Sequence, residues 1–164
     1  MQQASLVERY ESVRHFTDRL TEPLQTEDFV VQSAWFVSPT KWHMAHTSWF
    51  FETFILREYA PDYEVFDEDF NYLFNSYYNA VGEQHPQPRR GLLSRPGVAK
   101  IRDYRAHVDR HMRTCLEALG GQALEEVARL VEIGCHHEQQ HQELLLTDIK
   151  HVLAQNPLRP AYQP

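Results

Sequence analysis

The segment from Leu124 to about Gln155 constrains the fold more than any other. With successive residues turned by ~100°, Val127, Val131, Leu145, Ile149 and Val152 fall within roughly 40° of one line. A single long helix with an apolar stripe of this length needs other helices to cover it. The stripe is also interrupted. Inside "GCHHEQQHQELLL", residues 134 to 146, the same line passes through Gly134, Glu138 and His141, with His137 at its edge. An unpartnered polar group costs about 2 to 7 kcal/mol to bury. The gap therefore requires partners, either a hydrogen-bonded polar layer or a metal ion.

Three further helices can supply the cover. Ser5-x-x-Glu8 has the form of a capping box, and Leu6, Tyr10, Val13, Phe16 and Leu20 follow at helical spacing until Pro23. A short helical turn is expected after Thr26. Ser38 as N-cap and Pro39 at the first helical position then open a second long helix, running to about Glu58. Val98, Ile101, Val108, Met112, Cys115 and Leu119 trace a third stripe, stopped by Gly120 and Gly121. Residues 61–97 mix aromatics, prolines and glycines without a period, and a piece of helix is expected within 67–79. Four long helices with no strand alternation predict an all-α four-helix bundle, residues 1–155, with a long irregular loop between helices 2 and 3. The Pro-rich residues 156–164 read as a linker.

Of the ten histidines, few are placed for chemistry. His137 and His141, one turn apart, can direct two imidazoles at one ion. His107 and His111 share that spacing but lie roughly 80 to 120° from their helix's apolar stripe, among Arg102, Arg105, Asp109 and Arg110, and read as a solvated face. The second helix offers Trp42, Ala45, Trp49, Thr53 and Leu56 as its inward stripe, with His46 on that stripe and His43 at the rim. Two facing helices that each break an apolar stripe with histidine favour a metal over a polar layer. Three imidazoles leave coordination positions open, an arrangement suited to catalysis, and zinc, ferrous iron, nickel and manganese all match the ligand type.

Charge and hydropathy narrow the partners. A net charge of −7 opposes phosphate-backbone binding. No apolar run approaches the ~20 residues of a membrane span, and "MQQASLVERYESVRHF" lacks a secretory layout, so the cytoplasm is the expected compartment. Cys115 and Cys135 sit beside apolar residues at helical spacing and read as core.

Taken in order, "WHMAHTSWFFE", "NSYYNAVGEQHPQPRRGLLSRPG" and "HHEQQHQELLLTDIKH" resemble the N-terminal DinB-like domain of the ergothioneine-biosynthesis sulfoxide synthases (the EgtB family), from about residue 5 to the end. The resemblance implies a mononuclear non-haem iron(II) held by His46, His137 and His141, with zinc or nickel as the alternative in other DinB-like proteins. It implies a reaction that joins a cysteine-type thiol, γ-glutamylcysteine or cysteine, to C2 of the hercynine (trimethylhistidine) imidazole with O2, giving a sulfoxide. Gln140 would contact the histidine-derived substrate, although it projects roughly 140° from the stripe centre. Arg89 and Arg90 of "PRRGLL" would bind the thiol's carboxylates, which the planar guanidinium fork suits. Glu138 would accept the ring N–H of a ligand histidine or pair with an arginine of a neighbouring helix. The family also has a C-terminal domain resembling the formylglycine-generating enzyme, which supplies a catalytic tyrosine. "NPLRPAYQP" reads as the linker towards it, and that domain is expected to act in cis or in trans.

Overall fold

The computed structural model describes residues 3–76 and 82–163. Helix α1 spans Gln3–Thr21, α2 spans Thr40–Phe51, α5 spans Val98–Ala118 and α6 spans Gly121–Gln155. A π-helical turn, Glu52–Leu56, and the short α3, Arg57–Tyr59, prolong α2. Between this and α5 lie α4, Asp69–Phe74, and a 3-10 turn, Gln87–Leu92; a second 3-10 turn, Thr26–Phe29, precedes α2. Among the described residues there is no strand, and the all-α bundle with its long loop stands as expected. The helix expected within 67–79 is α4, and positions 77–79 of that range lie outside the described residues. Among the described residues no helix is long and apolar enough to cross a membrane.

Helices α1 and α2 each pack against both α5 and α6. The connection between α5 and α6 is minimal because Gly121 takes φ +57, a left-handed conformation that glycine adopts without strain, and α6 therefore starts three residues before Leu124. At the same end of the bundle, α1 begins at Gln3, ahead of the expected Ser5 cap. The Gln3 amide donates to the carbonyls of Leu116 and Leu119 at 2.5 and 3.0 Å, which closes the C-terminal end of α5.

The inward face of α1 differs from the expected stripe. Leu6, Tyr10, Arg14, Thr17 and Thr21 are buried, whereas Phe16 is 41% exposed. The reason lies across the bundle. Glu138 of α6 is wholly buried and accepts hydrogen bonds from Arg14 Nη1 at 2.8 Å, Thr17 Oγ1 at 2.7 Å and Arg105 Nη2 at 3.2 Å. Arg14 uses its other nitrogens on Asp109 Oδ1 at 2.7 Å and Ser48 Oγ at 2.8 Å, and the Tyr10 hydroxyl donates to Asp109 at 2.6 Å. A charged face of α1 is thus its core face because its partners are charged. Arg105, read from the sequence as solvated, is 3% exposed for the same reason. Burial alone would raise the Glu138 carboxyl, but the two guanidinium groups overcome this and hold it below the usual range.

Helix α2 is buried on every side, Thr40 to Phe51. It therefore has no rim, because α5, α6, α4 and the loop around residue 90 enclose it. Its N-cap is Pro39, one residue later than expected. Ser38 has other duties: its N–H donates to Asp148 Oδ2 at 2.8 Å and its hydroxyl accepts from Arg90 at 2.9 Å. Contacts between His43 and His141, between His46 and His137, and between Phe51 and Gly134 set α2 and α6 antiparallel. A side chain at Gly134 would overlap the ring of Phe51 and reach within 3.0 Å of Phe50. Glycine thereby lets the two helices approach closely one turn from the histidines.

After α6 the chain folds back. The Tyr162 hydroxyl donates to the Leu20 carbonyl at 2.5 Å, and its ring packs against the cluster of Val37, Leu145, Ile149, Val152 and Leu153. The residues read as a linker include this anchored tyrosine.

Candidate metal centre

The structure brings His46, His137 and His141 together, with one nitrogen from each lying within 4.8 Å of the others. His46 comes from the enclosed α2, and the other two come from successive turns of α6. The Nε2 atoms of His46 and His137 are 3.1 Å apart. Two imidazole nitrogens at 2.0 to 2.1 Å from one tetrahedral ion would stand roughly 3.4 Å apart, so the spacing fits a shared ion.

The outer ring nitrogens decide which atoms face inward. His46 Nδ1 lies 2.6 Å from the Phe74 carbonyl, which can only accept, so Nδ1 carries the proton and Nε2 presents a lone pair. His141 Nδ1 lies 2.9 Å from His43 Nδ1, leaving its Nε2 for the centre. His137 Nδ1 is buried without a hydrogen-bond partner among the described residues. Three imidazoles converging at this distance, in surroundings that keep them neutral, form a donor set for a transition metal.

Neutrality follows from burial. Desolvation, reinforced by the neighbouring His137 imidazole, pushes His46 well below its usual range, and desolvation lowers His137 to about 4. His141 is lowered by desolvation and by its histidine neighbours. Trp42 and Trp49 both stack on His46, with centroids at 4.6 and 5.5 Å and nearly parallel planes, and His46 is 2% exposed.

A cavity of about 400 Å³ opens onto the imidazoles, within the range of small-molecule sites. Arg90 forms part of its wall. It is 4% exposed, stacked on Trp42 at 3.3 Å and bonded to Ser38 Oγ at 2.9 Å and Ser76 Oγ at 3.2 Å. The turn that carries it is pinned from two sides. Gln32 accepts from Gly91 N–H at 2.6 Å and donates to the Gln87 carbonyl at 2.8 Å, while the buried Lys41 donates to the carbonyls of Leu93 and Pro96. Gly91 is required there, since a Cβ would meet the Gln32 side chain.

Of the other residues singled out from sequence, Gln140 is exposed and lines the same cavity. Arg89 is exposed and does not line it. Glu138 takes the alternative partner, an arginine of a neighbouring helix, in place of a ligand imidazole: its described hydrogen bonds are to Arg14, Arg105 and Thr17. His136 is exposed, and Cys115 and Cys135, read as core, are buried free thiols. His107 and His111 are half-buried beneath Tyr63 and are thus less solvated than read, but they stand apart from the centre.

The residue that sequence reasoning placed wrongly is His43. It is 3% exposed, contacts His141, and bonds through Nε2 to Asp148 Oδ2 at 2.9 Å. Its position roughly 100° from Trp42 would make it a rim residue only on a helix with a solvent side, and α2 has none. Asp148, about two helical turns beyond His141 on α6, gave no signal in the sequence.

The family model described as the DinB superfamily matches residues 9–145, a span that contains all three converging histidines. No curated protein matches the chain.

Proposed function

The chain belongs to the DinB superfamily, and from that premise we propose that it is a metal-dependent enzyme domain whose centre is held by His46, His137 and His141. The observation that carries this reading is the convergence of three neutral imidazoles, two with outer nitrogens already engaged, at the floor of a 400 Å³ cavity. Held by three imidazoles, a metal would retain open positions and would supply Lewis-acid or redox chemistry to a thiol.

The finer reading is an iron(II) sulfoxide synthase domain of ergothioneine biosynthesis, acting on a cysteine-type thiol and hercynine with O2. It is supported by the resemblance over three separate segments and by Arg90, a buried guanidinium at the cavity wall. The balance is one thiol S–H and one imidazole C–H exchanged for a C–S bond. One oxygen atom of O2 goes to sulfur and the other to water, a four-electron reduction. In this reading Arg90 holds the thiol's carboxylate and Gln140 contacts the histidine-derived substrate. The tryptophans around His46 exclude water. A C-terminal domain, in cis or in trans, completes the pocket, and the cytoplasm is the compartment.

The donor set itself favours a second reading, a thiol-dependent transferase or hydrolase using zinc or nickel, because three imidazoles without a carboxylate suit those ions equally. Metal analysis of anaerobically purified protein, with His46→Ala and His137→Ala beside it, decides. About one metal ion per wild-type chain, lost in both variants, is expected. No stoichiometric metal in the wild type overturns both readings. Iron with O2 consumption on adding cysteine supports the synthase, and zinc that survives dialysis supports the second.

A further inference from the structure

A chain of three side chains, with the buried His43 between the half-buried His141 and Asp148, runs outward from the metal centre: His141 Nδ1 to His43 Nδ1 at 2.9 Å, then His43 Nε2 to Asp148 Oδ2 at 2.9 Å. We propose that Asp148 and His43 are positioning residues that fix the tautomer and ring orientation of His141, so that its Nε2 lone pair is delivered to the metal. The inference deepens the metal-centre reading and rests on it.

The direction of the chain follows from the chemistry of its ends. A carboxylate only accepts, so the contact with Asp148 places a proton on His43 Nε2. His43 is enclosed, 3% exposed, and a neutral imidazole with its proton on Nε2 has a bare Nδ1. That bare atom can only accept, so His141 Nδ1 must donate. His141 Nε2 is then left unprotonated and free for coordination. Each proton position is forced by the one before it, beginning at Asp148.

The start of the chain is itself fixed. The same Asp148 oxygen accepts the Ser38 N–H at 2.8 Å, which ties the carboxylate to the entry of α2. His46 achieves the same outcome with one partner, donating Nδ1–H to the Phe74 carbonyl. No carbonyl does this for His141, because its Nδ1 faces His43 in the first turn of α2, where backbone carbonyls are used within the helix. A side chain that both accepts and donates has to stand between them, and among neutral side chains an imidazole reaches across that gap with both functions.

Outer partners of metal-bound histidine commonly contribute 10- to 100-fold in affinity. The test combines metal affinity with a readout in the metal-free protein. Zn(II) affinity would be measured by competition with a chelator, and Co(II) binding by its visible spectrum, for wild type, His43→Leu, His43→Asn and Asp148→Asn. The expected result is a loss of about 10- to 100-fold in His43→Leu with an altered Co(II) spectrum. Substantial recovery is expected in His43→Asn, whose amide oxygen can still accept from His141. Asp148→Asn should fall between. In metal-free protein, nitrogen-15 shifts should show His141 as the Nδ1–H tautomer in wild type and a tautomer mixture in His43→Leu.

An Nε2–H tautomer of His141 in wild type overturns the proposal. So does a folded His43→Leu, judged by helical circular dichroism, that keeps wild-type affinity and spectrum. If the wild type binds neither metal while its His141 tautomer behaves as expected, the metal-centre reading fails alone and the positioning chain stands.

Discussion

Arg14 of α1 and Glu138 of α6 meet at 2.8 Å in the centre of the bundle, both essentially without solvent exposure, and Glu138 immediately follows the imidazole of His137 in the chain. The ion pair and the metal centre are therefore built on one turn of one helix. Breaking a buried pair by neutralising one member leaves the other charge unpaired and costs about 3 to 5 kcal/mol. Glu138→Gln is expected to lower unfolding stability by that amount in urea titrations. A loss under about 1 kcal/mol would show that water reaches Arg14 and Arg105.

The histidines set an acid limit on the metal-free protein. In the unfolded chain His137 takes up a proton near pH 6.5, whereas burial in the folded chain pushes this down to about 4. Between these values the unfolded state binds more protons, so folding stability falls as pH drops through that window, by about 1.4 kcal/mol per pH unit for this group. His43, His46 and His141 are lowered too and act in the same direction. Urea midpoints should decline steadily from pH 7 to pH 4. The slope should be shallower in His137→Leu, and an unchanged slope in that variant would contradict the assignment.

Arg90 and Arg89 are neighbours in sequence with opposite surroundings. If Arg90 holds a substrate carboxylate, Arg90→Lys loses the bidentate fork, and a hydrogen bond to a charged group is worth about 1.5 to 3 kcal/mol. Cysteine binding to metal-loaded protein, followed by calorimetry, should weaken by about 10- to 100-fold in Arg90→Lys and stay within about twofold in Arg89→Ala. Equal losses in both would show that the turn contributes charge without geometry.

Gly134 can be tested without touching a ligand. Gly134→Ala places a methyl group against Phe51 and Phe50, and overpacking of this kind costs about 1 to 3 kcal/mol. Because α2 must move away from α6 to relieve it, Zn(II) affinity should fall together with stability. A variant that loses stability and binds Zn(II) normally would show that the rings yield and the helices stay in place.

How much of this was legible in the sequence depended on whether a residue's environment was set by its own helix. The stripe of α6 and its polar gap are properties of one segment, and they led to His137, His141 and, across the bundle, His46. Arg14 could not be recognised as core, because a charged residue reads as a solvated one until Glu138 and Asp109 are known to face it. His43 was assigned to a rim that α2 does not possess, since the enclosing walls come from α4 and from the turn at residues 87–92. The difference between Arg89 and Arg90 arises from the way Gln32 and Lys41 hold that turn, contacts more than fifty residues apart that leave no periodic trace.

The adjacency of His137 and Glu138 has a geometric corollary. Successive residues point about 100° apart around a helix, so rotating α6 towards either partner withdraws the other. The guanidinium groups that grip Glu138 thereby index the azimuth of the whole helix, as a keyway indexes a shaft, and the ligand triangle inherits its tolerance from a contact about 100° further around the axis. Grafting the three histidines alone onto another bundle would transfer the ligands without the part that aims them.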